Sequence, residues 1–310
     1  MNKIHLLIVA VIGLLVLSAC QSQSGKDDGS DQLSPFTGGS KGIVANFLDM
    51  GVFNDETGIE EIFEGESFPI EVLLNNKGEE EVIVGDATVT LKGISLNQFT
   101  GIVANGELNN IETIEKVSEF NDVGGEVTLD FTPGSPDAVY QIPLSGSHYD
   151  VSVFAEVVYL YKTHALVPKV CFKEDLQDDR ICDVDANKKV FSSAAPIQVT
   201  NVEEKRAGTG KVAVEFDVEN IGSGDVAKPS TDFDSRFDEL AFNSSDASEW
   251  ECKSGGKLNE GRFDSDGKMK VVCKLITAMT EDTLYTKQLE LTLIYQYKDL
   301  IQRQIRIREQ

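Results

Sequence analysis

Positive charge is scarce in this sequence. Against 52 Asp and Glu there are only 28 Lys and Arg, which leaves a formal net charge of −24. Such a surface repels phosphate, so nucleic-acid binding is not expected, and docking of the folded part onto anionic lipid is opposed. Histidine, the commonest general base, occurs at His5, His148 and His164, with no Ser or Cys nucleophile motif beside any of them. The G-x-x-x-x-G-K-[ST], G-x-G-x-x-G and CxxC patterns are all missing. With them go the common signatures of phosphate cradles and zinc sites. Helical periodicity is missing as well. After the first twenty residues no stretch keeps a 3.6-residue apolar period for three turns, and only 108–120 reads as a short helix. The expectation is a protein that is not an enzyme. Paired carboxylates of a glycoside hydrolase stay open, because such groups need only meet in space.

The one long apolar run lies at the start. Residues 6–17 carry no charge and follow Lys3, and even extended to Ala19 the run is shorter than the roughly 20 residues a spanning helix needs. It reads as the h-region of a signal peptide, residues 1–20. The run ends in Leu17-Ser18-Ala19-Cys20, which resembles the lipobox of prokaryotic lipoproteins and implies acylation of Cys20. An uncleaved anchor is the alternative. Several acyl chains, at about 0.8 kcal/mol per buried methylene, would hold the protein on a bilayer where one chain would not. Residues 21–42 are rich in Ser, Gly, Gln and Asp, cannot build a core, and read as a flexible tether.

Beyond Cys20 stand Cys171, Cys182, Cys252 and Cys273, an even number that in an exported chain reads as two disulfides. Three pairings are open; the local one, Cys171 with Cys182 and Cys252 with Cys273, places one bridge in each half of the chain. The halves are suggested by an internal repeat. FPIEVLLNNKGEEEV at 68–82 matches VAVEFDVENIGSGDV at 212–226, each an alternating strand running into Asn-x-Gly. VVYLYK at 157–162 matches LIYQYK at 293–298, each placing two tyrosines on one face of a strand. Further strands are expected at 43–54, 81–92, 126–131, 149–161, 196–202, 268–277 and 289–297, the last followed by an alternation at Ile301, Ile305 and Ile307. Short strands separated by Gly, Asn, Asp and Pro turns predict an all-β fold of two tandem immunoglobulin-like antiparallel β-sandwich domains, at 43–195 and 196–310. The first carries an insertion near 94–121, a candidate binding element.

This order of strands, turns and cysteines, ending in AAPIQVTNVEE and VEFDVENIGSGDV, resembles tandem immunoglobulin-like, CARDB-like surface lipoproteins of archaea. The resemblance implies an extracytoplasmic adhesion or scaffolding module and carries over no catalytic residue. Its partners would be the membrane, through the lipid, and a surface protein or glycan. No cofactor is expected. The alternative function is an extracytoplasmic ligand-binding module, for a saccharide at the 94–121 insertion or for calcium: Asp183, Asp185 and Asn187 have D-x-D-x-N spacing, without the Gly and Glu that complete an EF-hand loop. Asp232, Asp234 and Asp238, and Asp264 with Asp266, are similar fragments in a chain rich in Asp. Asn243-Ser244-Ser245 is a glycosylation sequon expected in a Ser- and Asp-rich loop, and the single Trp250, near Cys252, reads as an aromatic of the sandwich core.

Overall fold

Along 151–167 every second residue is buried, with valines, alanines and tyrosines facing in and partly exposed side chains between them. That period of two can only be a strand, and the strand it belongs to runs for 26 residues. A computed structural model of the protein describes residues 33–175, 180–234 and 236–309, and Pro35–Gln310 form one compact unit. Among the described residues the architecture rests on β1 (Ile43–Phe47), β2 (Glu71–Asn76), β3 (Ala87–Lys92), β4 (Glu126–Asp130) and β5 (His148–Lys173). These are followed by β6 (Ile197–Gly208), β7 (Lys211–Asn220), β8 (Asp225–Ala227), β9 (Glu239–Ser244), β10 (Trp250–Ser254), β11 (Lys268–Leu275) and β12 (Leu284–Arg308). The fold is an all-β sandwich of mainly antiparallel sheets; the helical content described is confined to two single 3-10 turns.

The two repeats build matching three-strand sets, β1-β2-β4 and β6-β7-β11, and β10 extends the second. The residues that the Asn-x-Gly motifs place in register also match. Ile43 lies opposite Asn76 and Ile197 opposite Asn220. The Asn76 amide donates to the Gly125 carbonyl, and that of Asn220 to Gly267. The long strands β5 and β12, which lie on either side of the expected boundary at 195/196, pair with each other from His148 opposite Arg308 to Lys173 opposite Leu284. Tyr159 faces Tyr297, Leu160 faces Gln296, and Tyr161 faces Tyr295. The repeated motif is therefore paired with its own copy, and a local two-fold axis passes through Leu160 and Gln296. β3 flanks β5, β8 and β9 flank β12, and Ile59–Phe63 adds in parallel beside the end of β12.

The buried apolar side chains of all four sheets form one continuous cluster, with Tyr159, Tyr161, Tyr295 and Tyr297 at its centre. Each fully buried Leu, Val or Phe contributes about 1.5–3 kcal/mol by leaving water. Gly208 and Gly210 form the β6–β7 turn, and Gly255 and Gly256 the turn after β10; all four have positive φ, which a side chain would oppose.

Several expectations change; the strand expected at 43–54, for one, breaks into Ile43–Phe47 and Val52–Asn54, which pair in different sheets. Residues 108–120 are not a helix: Glu107–Asn109 pairs with β3, Ile114 bridges to Val82, and Ser118–Asn121 closes a tight turn. The buried Asn110 explains this. Its amide donates to the carbonyls of Ile83 and Glu112 and its oxygen accepts from Gly85 and Ala87, so the side chain holds the backbone extended in place of a helical ladder. The strand expected at 81–92 begins only at Ala87, and 289–297 fuses with the alternation beyond it into one strand of 25 residues.

Both disulfides have the local pairing, Cys171 with Cys182 and Cys252 with Cys273. The second joins residues directly opposite on β10 and β11. Closing loops of this size stabilises by about 3 kcal/mol each on the chain-entropy view. Unfolding in denaturant with and without a thiol reductant should show a drop of that order per bridge; unchanged midpoints would mean the bridges are incidental.

Candidate functional site

Cys20 and the tether up to residue 32 lie outside the described residues. Several carboxylates of the acidic fragments are already engaged within the fold. Asp185 accepts from the Arg206 amide at 2.9 Å and pairs with its guanidinium at 2.8 Å. Asp183 offers its carbonyl to Lys188, and Asn187 sits on a short strand with Ala186. Asp234 grips Arg236, which holds its carboxyl at about 2. Asp238 accepts the Val226 amide, and Asp264 caps its own turn by accepting from Asp266 and Lys268. Among the described residues no group of three or more His, Cys, Asp or Glu is placed to hold a metal ion. Asn243 is exposed and lies on β9, a strand and not a loop. Trp250 is buried and meets Phe172 edge to face at 5.7 Å between ring centres, as expected of a core aromatic.

The histidines differ from each other. His148 is exposed beside Ser147. His164, on β5, lies between Glu80 at 3.4 Å and Glu290 of β12 at 3.1 Å, with Lys162 also on Glu80 and Thr292 at its edge. The hydrogen bond to Glu80 raises its pKa above the ordinary histidine value; burial opposes this and Glu290 adds to it. A group raised on folding stabilises most below its unfolded pKa, about 6.5, and that contribution is lost as pH climbs through the folded value. The melting temperature should therefore fall on going from mildly acidic to mildly alkaline pH, and His164→Asn should flatten that part of the profile. An unchanged profile in the variant would discard the assignment. The contacts to Glu80 and Glu290 make it a structural ion pair.

The part of the site that sequence reading missed lies at the tyrosine belt. A cleft of about 470 Å³ opens between β1 and the middle of β12. Its walls are Ile43 and Ala45 of β1, the rings of Tyr159 and Tyr297, Ile221, and Asp299. Burial, with smaller contributions from the neighbouring tyrosines and Asp299, pushes the Tyr159 phenol well above its usual range. Tyr297, also desolvated, rises to about 12, and its oxygen accepts the Gly224 amide at 2.8 Å. Both tyrosines are neutral at any physiological pH and almost wholly buried, so they close the inner side of the cleft with little exposed surface. The repeated YxY motif was the available signal, but pairing of its two copies could not be read from spacing.

Most apolar residues of the 94–121 insertion pack inward, Ile114 and Phe99 among them, but two of its large apolar side chains face solvent, with others exposed beside it. Phe120, at the tip of the 118–121 turn, is 98% exposed, Ile111 is 77% exposed, and Ile83, Val84 and Val123 are exposed as well. No helix among the described residues is long and apolar enough to cross a membrane.

No family model matches the chain. No curated protein matches it either. Among solved structures, the secreted serine protease VesC from Vibrio cholerae is similar at 10% identity and a TM-score of 0.21, over 83% of this chain and 50% of that one. The chain thus spans about half the length of that protease. A structure of manganese lipoxygenase of Gaeumannomyces graminis with partial zonadhesin of Komagataella pastoris is similar at 12% identity and a TM-score of 0.11, over 82% and 84%. Likeness at these values carries no argument about fold or activity.

Proposed function

We propose that the protein is a non-enzymatic, lipid-anchored surface module on the extracytoplasmic face, acting in adhesion or scaffolding by contact with another macromolecule. In this reading each half is an immunoglobulin-like, CARDB-like unit, and the polypeptide stands off the membrane on its acidic tether. The observation that carries it is the exposure of Ile83, Val84, Ile111, Phe120 and Val123 on and beside the insertion. Large apolar side chains grouped in solvent mark contact surfaces more often than chemistry. The Leu17-Ser18-Ala19-Cys20 pattern supports the anchor.

Cell fractionation tests the anchor. The wild-type chain should partition with membranes, resist extraction by salt and be released by detergent, whereas Cys20→Ala should move to the soluble fraction. A Cys20→Ala protein that stays with the membrane would discard lipid anchoring.

A further inference from the structure

The two-fold relation between the repeats makes each half a control for the other, and the halves differ at the cleft. Ile197 opens β6 as Ile43 opens β1. In an antiparallel ladder successive residues point their amide and carbonyl to alternate sides. On β1, Gly42 and Leu48 bond toward β2, so Ile43, Ala45 and Phe47 point away from it. On β6, Pro196 bonds toward β7, so Ile197 points away in the same manner. The outward carbonyl of Ile197 is closed off: Thr163 Oγ1 donates to it at 2.8 Å, and the Tyr295 hydroxyl lies 3.0 Å from the same threonine.

Thr163 follows the lysine of VVYLYK, and the residue in the same place after LIYQYK is Asp299. A carboxylate has no proton to give a carbonyl. Where threonine seals the second half, the first half therefore has a cleft with acceptors on its wall. Asp299 is half-buried and accepts only the amide of Leu300, at 2.9 Å; among the described residues no ion pair reaches it. Lys41 stands exposed at the cleft mouth. Among the described residues β1 pairs with β2 alone, so the Ile43 and Ala45 edge faces the cleft without a ladder partner.

We propose that this cleft binds an extended segment of a partner polypeptide, which adds a strand to the outer edge of β1 and places a Lys or Arg side chain on Asp299. The inference rests on the reading of the protein as an interaction module and names the place and the partner's chemistry. Main-chain bonds to Ile43 and Ala45 supply affinity. Charge selects the partner: an unpaired carboxylate in the cleft and a net charge of −24 favour a basic chain and disfavour a second copy of this one.

The test uses the detergent-purified full chain at physiological salt and a short synthetic peptide of alternating Lys and Val. Its binding is compared with that of an alternating Glu and Val peptide and of the Lys peptide N-methylated at alternate amides. The Lys peptide should bind, with Asp299→Asn weakening it about tenfold, and the Glu peptide and the N-methylated peptide should not bind. Ala45→Pro, which removes an outward amide from an edge strand, should also abolish binding while melting near wild type. Equal binding by the N-methylated peptide, or no loss with Asp299→Asn, would show attraction to the acidic surface alone and overturn the proposal. Failure of the Lys peptide to bind would overturn it too, while the anchored-module reading would still stand or fall separately, on the membrane fractionation of Cys20→Ala.

Discussion

Asn76→Ala should lower stability by about 4 kcal/mol or more, and its counterpart Asn220→Ala by only about 1 kcal/mol. Asn76 is fully buried and uses its whole side chain. Its amide donates to the carbonyls of Glu80 and Ile114 at 2.7 and 3.2 Å, and its oxygen accepts from the Gly78 amide and the Tyr161 hydroxyl at 3.1 and 3.0 Å. Alanine strands all four partners in a region closed to water, and each costs about 1–3 kcal/mol when left unmade. Asn220 makes the corresponding bonds to Gly224 and Tyr297, at 2.9 and 3.4 Å, but is only half-buried, so water replaces them. Chemical denaturation of the two variants reads the difference directly. Equal losses would mean that the buried network is not what holds the first Asn-x-Gly turn.

The second large effect is expected at Glu204, which is buried completely on β6. Both its oxygens accept the Cys171 amide, at 3.0 and 3.1 Å, and Lys188 pairs with it at 2.8 Å. Burial raises its pKa above the ordinary carboxylate range, against the opposing pull of Lys188, the Cys171 amide and Lys173. Removing one member of a buried pair leaves the other charge without compensation, so Glu204→Ala should cost about 3–5 kcal/mol. For a body of this size that is a fall in melting temperature on the order of 10 °C. Glu204→Gln keeps the acceptor and should lose less. Glu204→Leu with Lys188→Met should regain part of the loss relative to Glu204→Ala, because the orphaned ammonium is gone. A double variant no better than Glu204→Ala would place the cost in the Cys171 amide and not in the charge.

Much of the β architecture was legible because alternation is local. The inward set from Val151 to Tyr161 and the set from Leu289 to Tyr297 can be seen in the residue order, and so can the glycines of the tight turns. The helix expected at 108–120 failed for an equally physical reason. Asn110 looks like any polar residue in sequence, and its four backbone bonds exist only once residues 83–87 are folded beside it. The partners of the acidic fragments were not legible, since Asp185 meets Arg206 across twenty residues of intervening chain.

Sequence alone determined the all-β class and the matching Asn-x-Gly and YxY landmarks, and it favoured the local disulfide pairing, because each follows from spacing along one strand or one turn. Tertiary structure decided that β5 and β12 pair copy against copy, that His164 lies between two glutamates, and that Asp299 faces an open edge where Thr163 seals its equivalent. Those outcomes depend on which strands meet and in which register, and register is set by burial on both faces of a sheet, far beyond the reach of neighbouring residues.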